Sequence, residues 1–330
     1  MLQRIRLTVA LSALAMATMV AQEPSPRVEM VVSYEHDPRW PDKPDDVEWA
    51  QMSSIGVDGD DNIWTFHRGN IPVQVYRPDG SLVRSWGTGL FENPHQVRFD
   101  HEGHVWFADD GNHTVRKFTP DGQLLATIGT LGEAGTDAGH LSAPQDMAVT
   151  RSGDVFIAEN RTHRIVHYDP DGRFVNSWGE LGTDPGQFNF PHGLAADSLG
   201  RLYVVDRNNA RIQVFEQDGT FLAEWRHVMV PWQIWITPDD EIYVCGSSPM
   251  RWGDGPTLGT PPKDQLVIRF DTDGRVEQLW AFPKGENGRE QPGDLNWAHG
   301  IAVDSAGNLY LGDMEGRRAQ RFTRVREQIR

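Results

Sequence analysis

The chain is 330 residues long, with 31 basic against 47 acidic side chains and a formal charge of −16. That balance argues against nucleic acid or an anionic membrane as a partner, because both would repel it. Aromatics make up 10% of residues, including 12 Trp, and the single Cys245 cannot form an internal disulfide, so core packing has to hold the fold.

Residues 1–21 read as a secretory signal peptide. Arg4 and Arg6 precede an apolar run from Leu7 to Val20, and Ala15-Met16-Ala17 or Met19-Val20-Ala21 supplies a small-residue cleavage site. The run is too short to span a bilayer, and no Cys follows it to carry a lipid. The expectation is a secreted or periplasmic protein with no membrane attachment after cleavage, in which 22–330 form one domain.

The rest of the chain is repetitive. The clearest units begin at Pro94, Pro144 and Pro191. Each holds four short runs rich in Val, Ile, Tyr, Phe and Trp, separated by turn residues, which predicts four strands, a to d. Asp121-Gly122, Asp171-Gly172 and Gln217-Asp218-Gly219 mark the c–d hairpins. Weaker copies cover 53–87, 231–281 and 298–325. The fifth carries a Pro-, Gly- and Ser-rich insertion at 247–263, which could form a lid, and the sixth stops after strand c. Residues 28–34 are expected to supply the missing strand. The predicted architecture is all-β: a six-bladed β-propeller of four-stranded antiparallel blades, closed by an N-terminal strand that hides both sheet edges. An open solenoid would need polar caps and leaves the incomplete sixth unit unexplained.

One motif recurs at the start of strand a in blades two, four and six: Asn93-Pro94-His95-Gln96-Val97, Phe190-Pro191-His192-Gly193-Leu194 and Trp297-Ala298-His299-Gly300-Ile301. Alternate blades of a six-fold ring stand about 120° apart, so the three side chains can converge beside the channel. Three neutral imidazoles with an open position suit catalytic zinc, and other divalent metals as well. Ser53, Gln145 and Trp232 hold the corresponding positions in the other blades. The alternative is that the histidines only hydrogen-bond within the channel.

The b–c loops fall on the same face. Arg68 and Arg207 share one repeat position there, where a planar guanidinium could hold a carboxylate or pair with a neighbouring Asp. Arg161 and His163 lie in the blade-three loop. Asp109, Glu159, Asp206 and Asp313 share another position. Recurrence in most blades points to structure, such as bonding the next loop's backbone N–H groups.

These repeats resemble NHL repeats, and most of the chain is similar to the peptidyl-α-hydroxyglycine α-amidating lyase family. The similarity is carried by Phe66-His67-Arg68-Gly69, Pro94-His95, Arg164-Ile165-Val166, the stretch from Trp178 to His192, and Val205-Asp206-Arg207-Asn208 through Phe215. It implies a six-bladed propeller with zinc on His95, His192 and His299, and active-site arginines at Arg68 and Arg207. The implied reaction cleaves the N–C bond of a C-terminal α-hydroxyglycine, releasing a peptide amide and glyoxylate. Two departures stand out. The family's catalytic tyrosine is missing from the shorter loop Glu159-Asn160-Arg161-Thr162-His163, which leaves Arg161 or His163 as the base by position. The family's acidic calcium ligand is replaced by Gly300, which puts a structural calcium in doubt. The expected substrate is a small carboxylate-bearing molecule or peptide, acted on by a monomer. Two other classes stay open: a non-catalytic NHL propeller that binds a protein or glycan, and a metal-dependent lactonase or esterase.

Overall fold

The computed structural model describes residues 30–226, 229–248 and 265–328. The signal peptide at 1–21 and nearly all of the insertion at 247–263 lie outside them. Among the described residues no helix is long and apolar enough to cross a membrane.

The chain divides into two units, Met1–Ser33 with Arg326–Arg330, and Tyr34–Val325. In the smaller unit the described residues are extended, 30–33 opening the strand Met30–His36 and 326–328 ending the strand Arg318–Gln328. The larger unit is the propeller.

Each repeat forms an antiparallel four-stranded sheet in the order a-b-c-d, as in blade two with Pro94–Phe99, Val105–Asp109, Thr114–Phe118 and Leu124–Ile128. There are six such sheets, so the architecture is the six-bladed β-propeller that the repeats predict. The inner strands are Met52–Val57, Pro94–Phe99, Pro144–Val149, Pro191–Ala196, Val230–Ile236 and Ala298–Val303. Each packs against the inner strand of the next blade, and the last packs against the first. Blade six takes its outermost strand from the N-terminal side, as expected; it is described over Met30–His36 and runs two residues past Tyr34. There Asp37 N–H donates to Arg321 O (3.0 Å) and the His36 ring meets Phe322 edge-on.

Burial follows the blade stacking. Strands a and b are covered on both faces; strand b reads as a nearly continuous apolar run, as in Val105–Asp109, while strand a also carries buried polar residues such as His95, Gln96 and Arg98, and strand d of blade two is exposed over Leu124–Thr127. The apolar clusters therefore lie between blades: Trp64, Phe66 and Val75 of blade one pack against Val97, Phe107 and Phe118 of blade two. In the c–d turns, Gly80, Gly122, Gly172, Gly219 and Gly274 all have φ between 77° and 97°, which a side chain would strain.

The a–b turns show how one aspartate can serve two elements. Asp58, Asp100, Asp197 and Asp304 directly follow strand a or its last paired residue. In each, one carboxylate oxygen takes turn N–H groups. The other accepts from an aromatic on strand b: Trp64 Nε1 (2.8 Å), Trp106 Nε1 (3.0 Å), Tyr203 Oη (2.9 Å) and Tyr310 Oη (3.0 Å). Blade three has Phe156 at that place, which needs no acceptor, and its turn residue is Thr150. In blade five Tyr243 turns to Glu241 instead (3.1 Å). Between blades, Ser198 bonds Asp240 and Ser305 bonds Asp61, the latter fastening blade six to blade one.

Replacing Asp304 with Ala strands the fully buried Tyr310 hydroxyl. The expected loss is about 2 kcal/mol in urea unfolding, and it should shrink in a Tyr310→Phe background, where no donor is left unsatisfied. Equal losses in both backgrounds would show that the pair is not coupled.

Candidate metal centre

Every inner strand carries the same irregularity. The pairing of strand a with strand b skips one residue in all six blades, between Met52 and Ser54, Pro94 and Gln96, Pro144 and Asp146, Pro191 and Gly193, Pro231 and Gln233, and Ala298 and Gly300. The skipped residues are Ser53, His95, Gln145, His192, Trp232 and His299. Each is the extra residue of a β-bulge, a device that re-aims a side chain and that tolerates the preceding prolines.

The re-aimed histidines meet. Their ring centroids lie 4.9 Å (His95–His192), 4.9 Å (His192–His299) and 5.4 Å (His95–His299) apart, with one nitrogen of each inside a common 4.8 Å radius of separation. All three are buried. Their second nitrogens are fixed by the blades in between. Nδ1 of His95 lies 2.6 Å from Gln145 O, that of His192 lies 2.6 Å from Trp232 O, and that of His299 lies 2.7 Å from Ser53 O. A carbonyl can only accept, so each Nδ1 carries the proton and each Nε2 keeps its lone pair. A metal-ligating histidine needs this arrangement. The six bulges thus alternate between a histidine and the carbonyl that orients it.

Burial, first of all, keeps the three rings neutral. His192 and His299 are held well below the usual histidine range, helped by the neighbouring rings and by Arg207. His95 is also lowered, with the Asp110 charge opposing. Three neutral nitrogen donors facing one point fit a zinc-like divalent ion in ligand type and number.

Both arginines stand beside this centre. Arg207 opens the 3-10 turn Arg207–Asn209 right after strand b of blade four. Its guanidinium lies 3.6 Å from the Trp232 ring centroid and 4.9 Å from that of Phe190, and Phe190 stacks on His192. Burial lowers Arg207 to about 9. Arg68 donates from Nε to Pro94 O (3.4 Å), beside His95, and forms no ion pair among the described residues. Burial lowers its pKa, while Asp110 and Glu315 raise it.

The blade-three loop repeats the arrangement of the blade-two loop. Arg161 is exposed. His163 has φ 54° and its Nδ1 accepts Phe190 N–H (3.3 Å), as His113 Nδ1 accepts Ala143 N–H (3.1 Å) one blade earlier. His163 therefore supports the backbone that carries Phe190 and His192. Asp109, Glu159, Asp206 and Asp313 are fully buried and do bond backbone N–H groups, but in the loop leading into strand a of their own blade rather than in the next one: Glu92 and Asn93, Ser142, Asn189, and Asn296 and Trp297. Each also pairs with an arginine on strand c.

Asp110 is legible in the sequence as a charge of the blade-two loop at this rim, but its role there is not. Its carboxylate accepts from Gln145 Nε2 (3.2 Å) and from Asn93 Nδ2, and its charge acts on both His95 and Arg68. In the sequence that role is hidden behind the structural Asp109. The clue was its loop position opposite Pro94-His95. Gly300 leaves no room for a side chain, since a Cβ there would come within 2.9 Å of Ile55 N.

Fold and site together define a six-bladed β-propeller with three buried imidazoles converging on its axis. The NHL repeat family matches residues 188–215. No curated protein matches the chain. Among solved structures the chain is similar to a streptogramin B lyase (13% identity, 90% of this chain and 98% of that one, TM-score 0.58). It is also similar to virginiamycin B lyase from Staphylococcus aureus (17%, 92% and 89%, 0.56) and to a gluconolactonase from Xanthomonas campestris (16%, 84% and 87%, 0.57). At these identities the likeness is one of fold.

His192→Ala removes one donor while leaving the blade clusters intact. Elemental analysis after dialysis against zinc should find about one ion per wild-type chain and at least tenfold less in the variant, which should still unfold cooperatively but at a lower melting temperature, lacking both the ion and the donor to Trp232 O. Stoichiometric zinc in the variant would take His192 out of the site.

Proposed function

We propose that the protein is a secreted or periplasmic metal-dependent lyase, zinc being the preferred ion, that cleaves the N–C bond of a small carboxylate-bearing substrate of the α-hydroxyglycine type. The observation that carries this reading is the set of three Nδ1-to-carbonyl bonds, which leaves three Nε2 lone pairs facing one another beside a buried arginine. His95, His192 and His299 would hold the metal, whose Lewis acidity favours ionisation of a substrate hydroxyl.

The side chains divide the remaining work. Arg207, fixed between Trp232 and Phe190, offers a planar fork for the substrate carboxylate, and burial strengthens that contact by excluding water. Arg68 supports the same charge from the blade-one side. A base must take the hydroxyl proton as the C–N pair moves to nitrogen and the carbonyl forms. His163 and Arg161 are the candidates by loop position. His163 already uses Nδ1 to accept a backbone N–H, which puts its proton on Nε2 and leaves no lone pair for the task. Asp110 suits it better, being a carboxylate held by two amides between His95 and Arg68.

The structural neighbours agree with an enzyme on this scaffold: two are lyases, and a catalytically inactive form of the virginiamycin B lyase carries a single His-to-Ala change. A carboxylate-built hydrolase centre is less well supported, because the group of possible ligands on the axis is all histidine.

The test is release of glyoxylate from a peptide ending in α-hydroxyglycine. Zinc-loaded protein should produce it above the spontaneous rate, and Arg207→Ala should raise KM at least about tenfold, the value of one charge-assisted pair. An unchanged kcat/KM would remove Arg207 from substrate binding, and no glyoxylate from zinc-loaded wild type would reject this substrate class.

A further inference from the structure

The channel has a second mouth, on the face away from the histidines. Three residues beyond each bulge, the inner strands place Gly56, Arg98, Ala148, Ala195, Trp235 and Ala302. Ala148 and Ala195 are small, which leaves room beside Arg98 and Trp235. The result is a cavity of about 580 Å³, bounded by the a–b turns and including Ala148, Ala195, Arg98 and Trp235 in its lining. Its volume lies within the usual range for small-molecule sites.

The inner end of this cavity is built. Arg98 is 9% exposed and reaches across the axis from blade two. Its Nε and Nη2 are committed to Asp146 Oδ1 (3.0 Å) and Oδ2 (2.6 Å), to Leu194 O (3.2 Å) and to Ile234 O (2.8 Å), tying together blades two to five. Its Nη1 makes no hydrogen bond among the described residues, although Arg98 lines the cavity. Beside it, 5.8 Å from the guanidinium, lies the ring of Trp235, which also lines the cavity. Nη1 is thus the guanidinium nitrogen left to meet an acceptor in the cavity, and the Trp235 ring offers an apolar face beside it.

The mouth is of the opposite character. Asp58, Asp100, Asp197 and Asp304 ring it, with Thr150 and Thr237 at the two remaining places. Asp100 and Asp197 are paired with Lys117 and Arg201, but Asp58 and Asp304, with Asp61 and Asp240 beside them, keep the rim acidic and would repel an anion approaching Arg98. A cation would be drawn to the rim but finds only N–H donors at the inner end. A neutral molecule with many hydroxyls satisfies both ends, since a hydroxyl can accept from Arg98 and others can donate to a rim carboxylate, while its C–H face packs on the Trp235 ring.

We propose that this cavity is a binding site for a neutral polyhydroxylated ligand, a mono- or disaccharide in size, separate from the histidine centre. The two sites share the axis, and the Arg98–Asp146 pair stands between them.

Saturation-transfer NMR with glucose, maltose and sucrose, with gluconate and glucosamine as charged counterparts, tests the assignment. At least one neutral sugar should receive saturation and show millimolar or tighter affinity, while gluconate and glucosamine bind at least tenfold more weakly. Ala195→Leu and, separately, Ala148→Leu fill the cavity without touching the ion pair. Each should abolish the signal while zinc content and melting temperature stay near wild type, and Trp235→Phe should weaken binding several-fold. Absence of transfer to every neutral sugar, equal binding of the charged ones, or full binding by both filled, folded variants would overturn the proposal.

Discussion

The histidine face depends on one backbone irregularity, the extra residue near the start of each inner strand. In a regular strand alternate side chains point to opposite faces of a blade. The bulge breaks that alternation, and the second residue turns toward the axis in blade after blade. A bulge also leaves backbone groups without ladder partners, which is costly when they are buried. Here three of those carbonyls, on Ser53, Gln145 and Trp232, are met by the Nδ1 groups of histidines from the preceding blades. The same contact thus relieves a buried carbonyl, locks the tautomer of its neighbour and turns a lone pair inward.

The axis is polar along its length, which is uncommon for a core of this size, and the polarity is organised in layers. Histidines occupy the first layer. Asp146 follows, buried and fully bonded by Arg98, Leu194 N–H (2.8 Å) and its neighbour Met147 N–H (2.7 Å). A buried carboxylate of this kind survives only because its partners are complete. The Arg98–Asp146 pair links blades that share no continuous sheet and keeps the chemistry of the two mouths apart. Around this polar axis, the blade-to-blade apolar clusters provide the bulk of the packing.

The fold was legible because each repeat states it separately: strand-forming runs, Asp-Gly turns and a sixth unit short by one strand. The closing strand runs two residues past its expected end at Tyr34, because apolar content marks the segment but pairing with the last strand sets where it stops. The histidine triad could be read from the recurrence of one motif in alternate repeats. What holds it was hidden. The bulges leave only the prolines before them in four blades, Pro94, Pro144, Pro191 and Pro231, and the Nδ1 contacts join residues 40 to 246 positions apart. The Arg207 clamp depends on Phe190 and Trp232, which lie in different repeats, and the role of Asp110 was masked by a structural acid beside it. The turn aspartates, by contrast, carry a signal in the sequence itself, since blade three exchanges Asp for Thr where Trp or Tyr becomes Phe.

The central claim is that His95, His192 and His299 together hold one divalent metal through Nε2. Zinc-edge X-ray absorption on the purified protein tests it most directly. The account predicts a nearest shell of three imidazole nitrogens at about 2.0–2.1 Å with the multiple scattering of histidine rings, completed by one light atom. A shell of oxygens alone, a sulfur contribution near 2.3 Å, or the absence of any stoichiometric metal would contradict it.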